Sequence, residues 1–543
     1  MHFMRELTIA VLGGWVLCGV AAMGQAAAAQ AAMGQLAARC EGLASVKLDG
    51  AHVTSATLEA AGTAIADVKL ADDQVQRLKA FCRVKVTDMP SGDSDIKTEV
   101  WLPATGWNGR FRGQGNGGFA GLIAYREMAA AVSEGYATAG TDTGHVGGES
   151  GFALGHPEKV KDFGWRAVHD MTVQAKALAA AFYGKRPEHS YFTACSDGGR
   201  EALMEAERFP ADYDGILAGA PAYNWTALVS ATAQDDKTLM ASAAAYLPAR
   251  KLPAISAAVL AACDAQDGLK DGVLSDPRTC RFDPATLACK GEDSDSCLMP
   301  GQVATLKSLY AAKVDAQGKL VFPGYLPGAE SARGSWGTWV VGKAQGDPTL
   351  MMFFGLGYFR DFVFERKDWS LAAFDFDKDE RLATEKTGQE LNATDTNLKA
   401  FAARGGRLVM YHGWNDPAIP ALSSVEYYNG VVGAMGQAAT DAMLRLYMVS
   451  GMLHCGGGPG ATVIGQDGAG PRGDAGNDVF TALETWVEKG MAPATLTAVK
   501  YVDDVAAKGV EMARPVCAYP ETERYVKGDP TTATSFACVG AKR

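Results

Sequence analysis

The sequence predicts an α/β fold built on a largely parallel sheet and interrupted once by a long insertion. Three observations carry this. Strand-length apolar runs alternate with stretches that repeat apolar residues every three or four positions. The strand at 191–193 runs directly into a turn and a helix, and the pattern breaks between about 224 and 394 before it resumes. In chain order, strands are expected at 99–102, 110–113, 136–141, 191–193, 215–218, 407–412 and 444–449. Helices are expected at 125–133, 167–182, 200–208 and 479–489; in the second, Val168, Met171, Ala175, Leu178 and Phe182 fall on one face. The stretch 224–394 differs. It carries four cysteines, an Asp/Gly-rich loop, a Pro/Gly-rich span at 323–334 and an aromatic-rich span at 336–369. It reads as a unit inserted between two parts of one α/β domain, 30–223 and 395–543.

Composition narrows the function classes. With 543 residues and 48% of them hydrophobic, the chain is neither disordered nor fibrous, and it is long enough to bury a large core. Its formal charge of −11 disfavours nucleic acid and anionic membrane surfaces as partners, because both would draw their affinity from Lys and Arg. A neutral or modest-sized substrate fits better.

Residues 1–29 read as an address. Arg5 precedes an apolar stretch at 7–23, and the small residues Ala26 to Ala29 follow. A Sec-type signal peptide cleaved near Ala29 is expected, with a periplasmic or secreted product. A membrane anchor is the competing reading, but the stretch is short, rich in Gly and Ala, and lacks a stop-transfer charge cluster. Leu17 ahead of Cys18 disfavours lipidation.

Ten cysteines remain beyond that segment, an even number that suggests five disulfides in an exported chain. Thiolate metal binding is the rival, disfavoured by the absence of any CxxC pair. Chain-neighbour pairing joins Cys263 with Cys280, Cys289 with Cys297 and Cys517 with Cys538.

The segment Tyr191-Phe192-Thr193-Ala194-Cys195-Ser196-Asp197-Gly198-Gly199-Arg200 is where a nucleophilic serine would sit on a sharp strand-to-helix turn. The turn strains Ser196, so the residues two before and two after must be tiny; Ala194 and Gly198 are. The Asp197 amide, at the start of the helix, can help hold an oxyanion. A serine before glycines is often only a turn. A base and an orienting carboxylate must follow, and among the histidines beyond Ser196 the loop after 444–449 holds His454, while the loop after 407–412 holds Asp416. Both lie at carboxyl ends of strands, where open α/β sheets place their sites. A surface-loop histidine and an aspartate capping the turn before Pro417 are the bland readings. If Ser196 and His454 meet, their neighbours Cys195 and Cys455 come close enough to bond. Cys40 and Cys82 then remain as the fifth pair.

These motifs resemble the tannase and feruloyl esterase family, which includes a hydrolase of mono(2-hydroxyethyl) terephthalate. The likeness rests on Cys195-Ser196, Asp416 and His454-Cys455, and runs from about Cys40 to Cys538. It takes in the tract Gly115-Asn116-Gly117-Gly118-Phe119-Ala120-Gly121 and the segment Thr141-Asp142-Thr143-Gly144-His145. The resemblance implies an α/β-hydrolase fold with a large lid domain inserted between nucleophile and acid, where the insertion falls.

The Gly-rich tract follows the strand at 110–113 and could present the amide of Gly117 or Gly118 as second oxyanion donor; no GxGxxG or GxxxxGK pattern supports a phosphate loop. Within the insertion, 263–273 places three carboxylates among glycines, a donor set suited to Ca²⁺, with an acidic surface loop as the alternative. The resemblance implies a structural calcium there, held by side chains of Asp264, Asp267 and Asp271 and carbonyls of Leu269 and Val273. Trp336, Trp339, Phe353, Phe354 and Phe359 are candidates to stack on an aromatic acyl group, and Arg333 or Arg360 to meet a second carboxylate. The expected function is a secreted serine esterase of feruloyl- or galloyl-type aromatic esters. A terephthalate monoester hydrolase, a catalytically silent binding protein and a peptidase are the alternatives. No organic cofactor is expected.

Overall fold

The computed structural model describes residues 30–466 and 473–540; the expected signal peptide lies outside them. Nine strands form one sheet: β1 (Ala51–Glu59), β2 (Phe81–Asp88), β3 (Ile96–Pro103), β4 (Arg110–Gln114), β5 (Ala137–Thr141), β6 (His189–Cys195), β7 (Gly215–Gly219), β8 (Arg407–Gly413) and β9 (Leu444–Val449). Their spatial order is β1-β2-β3-β5-β4-β6-β7-β8-β9. From β5 to β9 neighbours run parallel, whereas β1, β2 and β3 are joined antiparallel and β3 pairs antiparallel with β5. The first two of these strands are not among the expected ones.

Each strand alternates which face of the sheet its side chains supply. Phe192, Ile216, Leu408 and Met410 share one core with helices α1 (Ala167–Tyr183), α2 (Asp197–Arg208) and α3 (Leu422–Met435). Tyr191, Leu217, Val409 and Tyr411 point to the other face, where α4 (Val479–Lys489) covers them with Phe480, Leu483 and Trp486. A fully hydrophobic strand such as Leu408-Val409-Met410-Tyr411 is what burial on both faces requires. The long expected helices and the strand at 444–449 are found within a residue of their predicted bounds. The helix expected at 200–208 starts three residues earlier, because its first turn is the turn that carries Ser196.

β7 and β8 are hydrogen-bonded neighbours, although 187 residues separate Gly219 from Arg407 in the numbering. The intervening stretch from Trp225 to Leu391 adds no strand to the sheet. It folds into helices, among them Trp225–Met240 and Phe376–Leu391, and packs one apolar cluster of its own around Leu247, Ile255, Leu306 and Trp336 and a second, around Trp225, Tyr358 and Phe362, that it shares with Phe119 and Phe163 of the preceding part of the chain. All five disulfides form as paired above: Cys40–Cys82, Cys195–Cys455, Cys263–Cys280, Cys289–Cys297 and Cys517–Cys538. Among the described residues, no helix is long and apolar enough to cross a membrane.

At the far end of α2 from Ser196, His169, Glu205 and Asp212 bring ligating atoms within 4.8 Å of one another. His169 Nδ1 lies 2.7 Å from Asp212 Oδ2, and burial, with the Asp212 carboxylate beside it, pushes Glu205 well above the usual carboxyl range.

Candidate active site

Ser196 stands between β6 and α2 with φ +68° and ψ −123°, a conformation that a serine holds only when its surroundings impose it. They do so through Ser196 N–H donating to the Gly219 carbonyl (3.0 Å) and Ser196 C=O accepting from Ala222 N–H (3.1 Å). Gly198 is obligatory: a Cβ there would lie 2.4 Å from the Ala194 methyl and 2.5 Å from the Asn116 carbonyl. Ala194 is the largest residue the turn admits on that side.

His454 comes from the loop after β9. Its Nε2 lies 2.8 Å from Ser196 Oγ and its Nδ1 2.8 Å from Asp416 Oδ2. Asp416, fully buried, follows β8, and its Oδ1 accepts the amides of Ala418 (2.7 Å) and Ile419 (2.9 Å). Burial alone would raise this carboxyl, but the His454 and His412 imidazoles facing it hold it below the usual range. The chain is thus hydroxyl, imidazole, carboxylate, each at hydrogen-bonding distance. Cys195 and Cys455 are bonded with Cα atoms 5.9 Å apart, directly beside the hydroxyl and the imidazole.

The Gly-rich tract is fastened under Ser196. Asn116 N–H donates to Glu201 Oε2 (2.8 Å), Asn116 C=O accepts from Gly198 N–H (3.1 Å), and Asn116 Nδ2 donates to the carbonyls of Leu122 (2.8 Å) and Thr141 (2.9 Å). His145 adds a further tie from Nε2 to the Phe119 carbonyl at 2.7 Å. Gly118 lines the cavity over Ser196, as does Asp197. The Asp197 carboxylate is paired with fully buried Arg200 at 2.6 Å, which neutralises a negative charge beside Ser196. Gly117 does not line the cavity, and its carbonyl accepts from Ala120 N–H.

That cavity is small, about 50 Å³, and mostly apolar; Trp225, Leu228, Val229, Met351 and Ile419 are among the residues that line it. Two of the five expected stacking residues, Trp339 and Phe354, face it. Trp339 lies edge-on to His454 with centroids 5.1 Å apart and stacks on Phe354 at 6.2 Å. Trp336 does not reach it; it is buried in the insert's own core against Tyr310 and Tyr325, because its neighbours on that helical turn anchor there. Phe353 lies one ring away, against Phe119 and Phe354, and Phe359 is buried against Trp369 and Phe374. Neither expected arginine lines the cavity. The Arg333 side chain is 95% exposed and faces Asp504, and Arg360 is bound by Asp361. A larger cavity, about 560 Å³, lies elsewhere, between the acidic loop and the C-terminal strands, so volume does not mark the chemistry.

The family's sequence profile, described as tannase and feruloyl esterase, matches residues 82–539. The chain belongs to that family. A feruloyl esterase B from Aspergillus oryzae superposes with a TM-score of 0.84 at 30% identity, over 93% of this chain and 100% of that one. An uncharacterized esterase of Xanthomonas campestris pv. campestris is 38% identical over 93% of this chain and 92% of its own. A probable feruloyl esterase B-2 of Aspergillus flavus is 33% identical over 81% and 84%. The chain is therefore a carboxylic ester hydrolase of the tannase and feruloyl esterase family, with its α/β-hydrolase sheet.

In the acidic loop, Asp264 accepts from Gly272 N–H, Asp267 from Leu269 N–H and Ser275 Oγ, and Asp271 from Val273 N–H. Asp271 also pairs with Arg514 at 2.8 Å. Sequence reasoning passed over His412, whose signal was its position four residues ahead of Asp416 at the end of a strand.

Proposed function

We propose that this protein hydrolyses esters of neutral aromatic acids of the feruloyl type, with Ser196 as nucleophile, His454 as base and Asp416 as its orienting carboxylate. The observation that carries the reading is the unbroken run of contacts from Ser196 Oγ through His454 to Asp416. His454 takes the Ser196 proton as Oγ attacks the ester carbonyl. The amide of Asp197 and one from Gly117 or Gly118 receive the oxyanion; the place of Gly118 in the cavity wall favours it. Return of the proton to the departing alcohol leaves an acyl-serine, which water hydrolyses by the same route. The insert acts as a lid. The names of the Aspergillus relatives support a feruloyl acyl group, and so does an apolar cavity rimmed by Trp339 and Phe354. A terephthalate monoester is the less favoured substrate, because no arginine or lysine lines that cavity to meet its second carboxylate.

The same reading makes the protein an exported one, with residues 1–29 as its signal, supported by five disulfides. It also places a structural Ca²⁺ on Asp264, Asp267, Asp271 and the carbonyls of Leu269 and Val273. The loop offers the donor types: three carboxylates and two turn glycines, Gly268 and Gly272 with φ +97° and +81°, lie within it, while Arg514 competes for Asp271. When bound, the ion supplies a charge that clamps the base of the insert.

The deciding experiment is a panel of methyl ferulate, methyl gallate, mono(2-hydroxyethyl) terephthalate and a peptide, run with Ser196→Ala as control. Preference for methyl ferulate with loss of about 10³-fold or more in the control is expected. No ester turnover by the native protein would refute the reading.

A further inference from the structure

Asp416 faces two imidazoles, and only one of them reaches Ser196. The other, His412, ends β8 and is wholly buried. Its Nε2 lies 3.1 Å from Asp416 Oδ2, the oxygen that also takes His454 Nδ1, and 3.0 Å from the Ile419 carbonyl. Both partners of Nε2 are acceptors, so Nε2 carries the proton and donates to them. Nδ1 faces the hydroxyl of Ser424, 2.7 Å away on α3 and also wholly buried; in the neutral ring it accepts that hydroxyl's hydrogen bond.

We propose that His412 is a positioning residue of this site: an Nε2-protonated imidazole, set by Ser424, that holds the Asp416 carboxylate turned toward His454. The inference rests on the esterase reading above. A carboxylate cut off from water needs donors on both oxygens. Oδ1 has two, from Ala418 and Ile419, and Oδ2 has two, from His454 and His412. Remove His412, and Oδ2 is left with His454 alone. The carboxylate loses one of its two lateral stays, and the charge that was divided between two imidazoles falls on one. Two effects follow. The fraction of molecules with His454 aligned on Ser196 drops, and protonated His454 becomes better stabilised. Among the described residues, the titratable groups facing Asp416 are His412 from β8, His454 from the loop after β9 and Tyr325 from the insert.

The test compares His412→Leu, which removes the donor, with His412→Gln, whose amide N–H can stand where Nε2 stood, and Ser424→Ala, which keeps the ring but frees the tautomer. For His412→Leu, kcat on methyl ferulate is expected to fall about 10- to 100-fold with little change in KM, the size of effect that follows from unpairing one buried polar contact, and the acid limb of the kcat profile should move to higher pH. His412→Gln should recover most of the rate and the native limb, and Ser424→Ala should fall between them. Proton NMR reads the His454 Nδ1–H signal without substrate: it should broaden or move in His412→Leu and persist in His412→Gln. An unchanged rate and pH profile in His412→Leu, or equal losses in the Leu and Gln variants with no shift of the limb, would overturn the proposal. Should His412→Leu not fold, Ser424→Ala decides by the same criteria. Because the NMR signal needs no turnover, it judges His412 even if the esterase reading fails on the ester panel.

Discussion

Cys195 and Cys455, 260 positions apart in the chain, are joined directly beside Ser196 and His454. The bond fastens the turn after β6 to the loop after β9. Closing a loop of that length removes entropy from the unfolded chain worth at most about 5 kcal/mol. Replacing both cysteines by alanine should therefore lower the melting temperature and reduce kcat at least tenfold, since the His454 loop loses its fixed distance to Ser196. Calorimetry and ester turnover on the double variant check this. A native kcat with only a lowered melting temperature would show that the bond serves stability alone.

Glu201, one turn into α2, is wholly enclosed. Burial, with the Asp197 charge adding to it, pushes its carboxyl to about 8. The unfolded chain titrates this group near the ordinary value of about 4.3. The folded form therefore keeps a proton that the unfolded form releases, so the associated stability is present below about pH 4.3 and is lost as pH rises toward 8. The melting temperature of the native protein should fall between pH 5 and pH 8, and Glu201→Gln should flatten that slope. An identical slope in the variant would place the proton elsewhere.

Trp339 and Trp336 stand on one helical turn but meet different neighbours. Trp339 rims the cavity beside His454, whereas Trp336 is buried among Tyr310 and Tyr325. Trp339→Ala should reduce kcat/KM for methyl ferulate about tenfold, while leaving a small acetate ester within about threefold, because the loss is one of stacking. Trp336→Ala should instead destabilise by about 3–5 kcal/mol without changing that ratio. Thermal melts and a two-substrate comparison distinguish them.

The cavity over Ser196 is about 50 Å³, against roughly 300–1,000 Å³ for usual ligand sites. An aromatic ester enters only if insert side chains such as Trp339 and Phe354 move aside. Tryptophan fluorescence should change on binding of methyl ferulate to Ser196→Ala, and the change should be reduced in a variant that also lacks Trp339.

Removal of calcium should loosen the insert. A chelator is expected to lower the melting temperature, with recovery on adding Ca²⁺, and Asp267→Asn should abolish the response. An unchanged melting temperature and no metal by elemental analysis would leave the loop held by its own amides and by Arg514.

The parallel strands and the flanking helices were legible because burial on both faces demands continuous apolar strands, and burial on one demands a repeating helical stripe. β1 and β2 were missed. Both mix polar and apolar residues in the antiparallel part of the sheet, as in Arg83-Val84-Lys85-Val86, and such a short pattern is weak by itself. The meeting of Ser196, His454 and Asp416 and the five disulfides were legible because tight turns and covalent geometry admit few residue types at few places: a strained serine between tiny neighbours, a histidine and an aspartate after later strands, cysteines in even number. What composition and spacing could not reveal is direction. Trp336 and Trp339 differ by three positions, yet one fills a core and the other faces the cavity; Arg333 and Arg360 looked alike as anion binders, and neither lines that cavity. His412 read as the last residue of a buried strand until folding set α3 and the Asp416 turn on either side of it. Local chemistry is written in the chain because backbone strain and burial act on neighbours in sequence. Which side chains share a hydrogen bond or a cavity wall is decided only when segments hundreds of residues apart pack together.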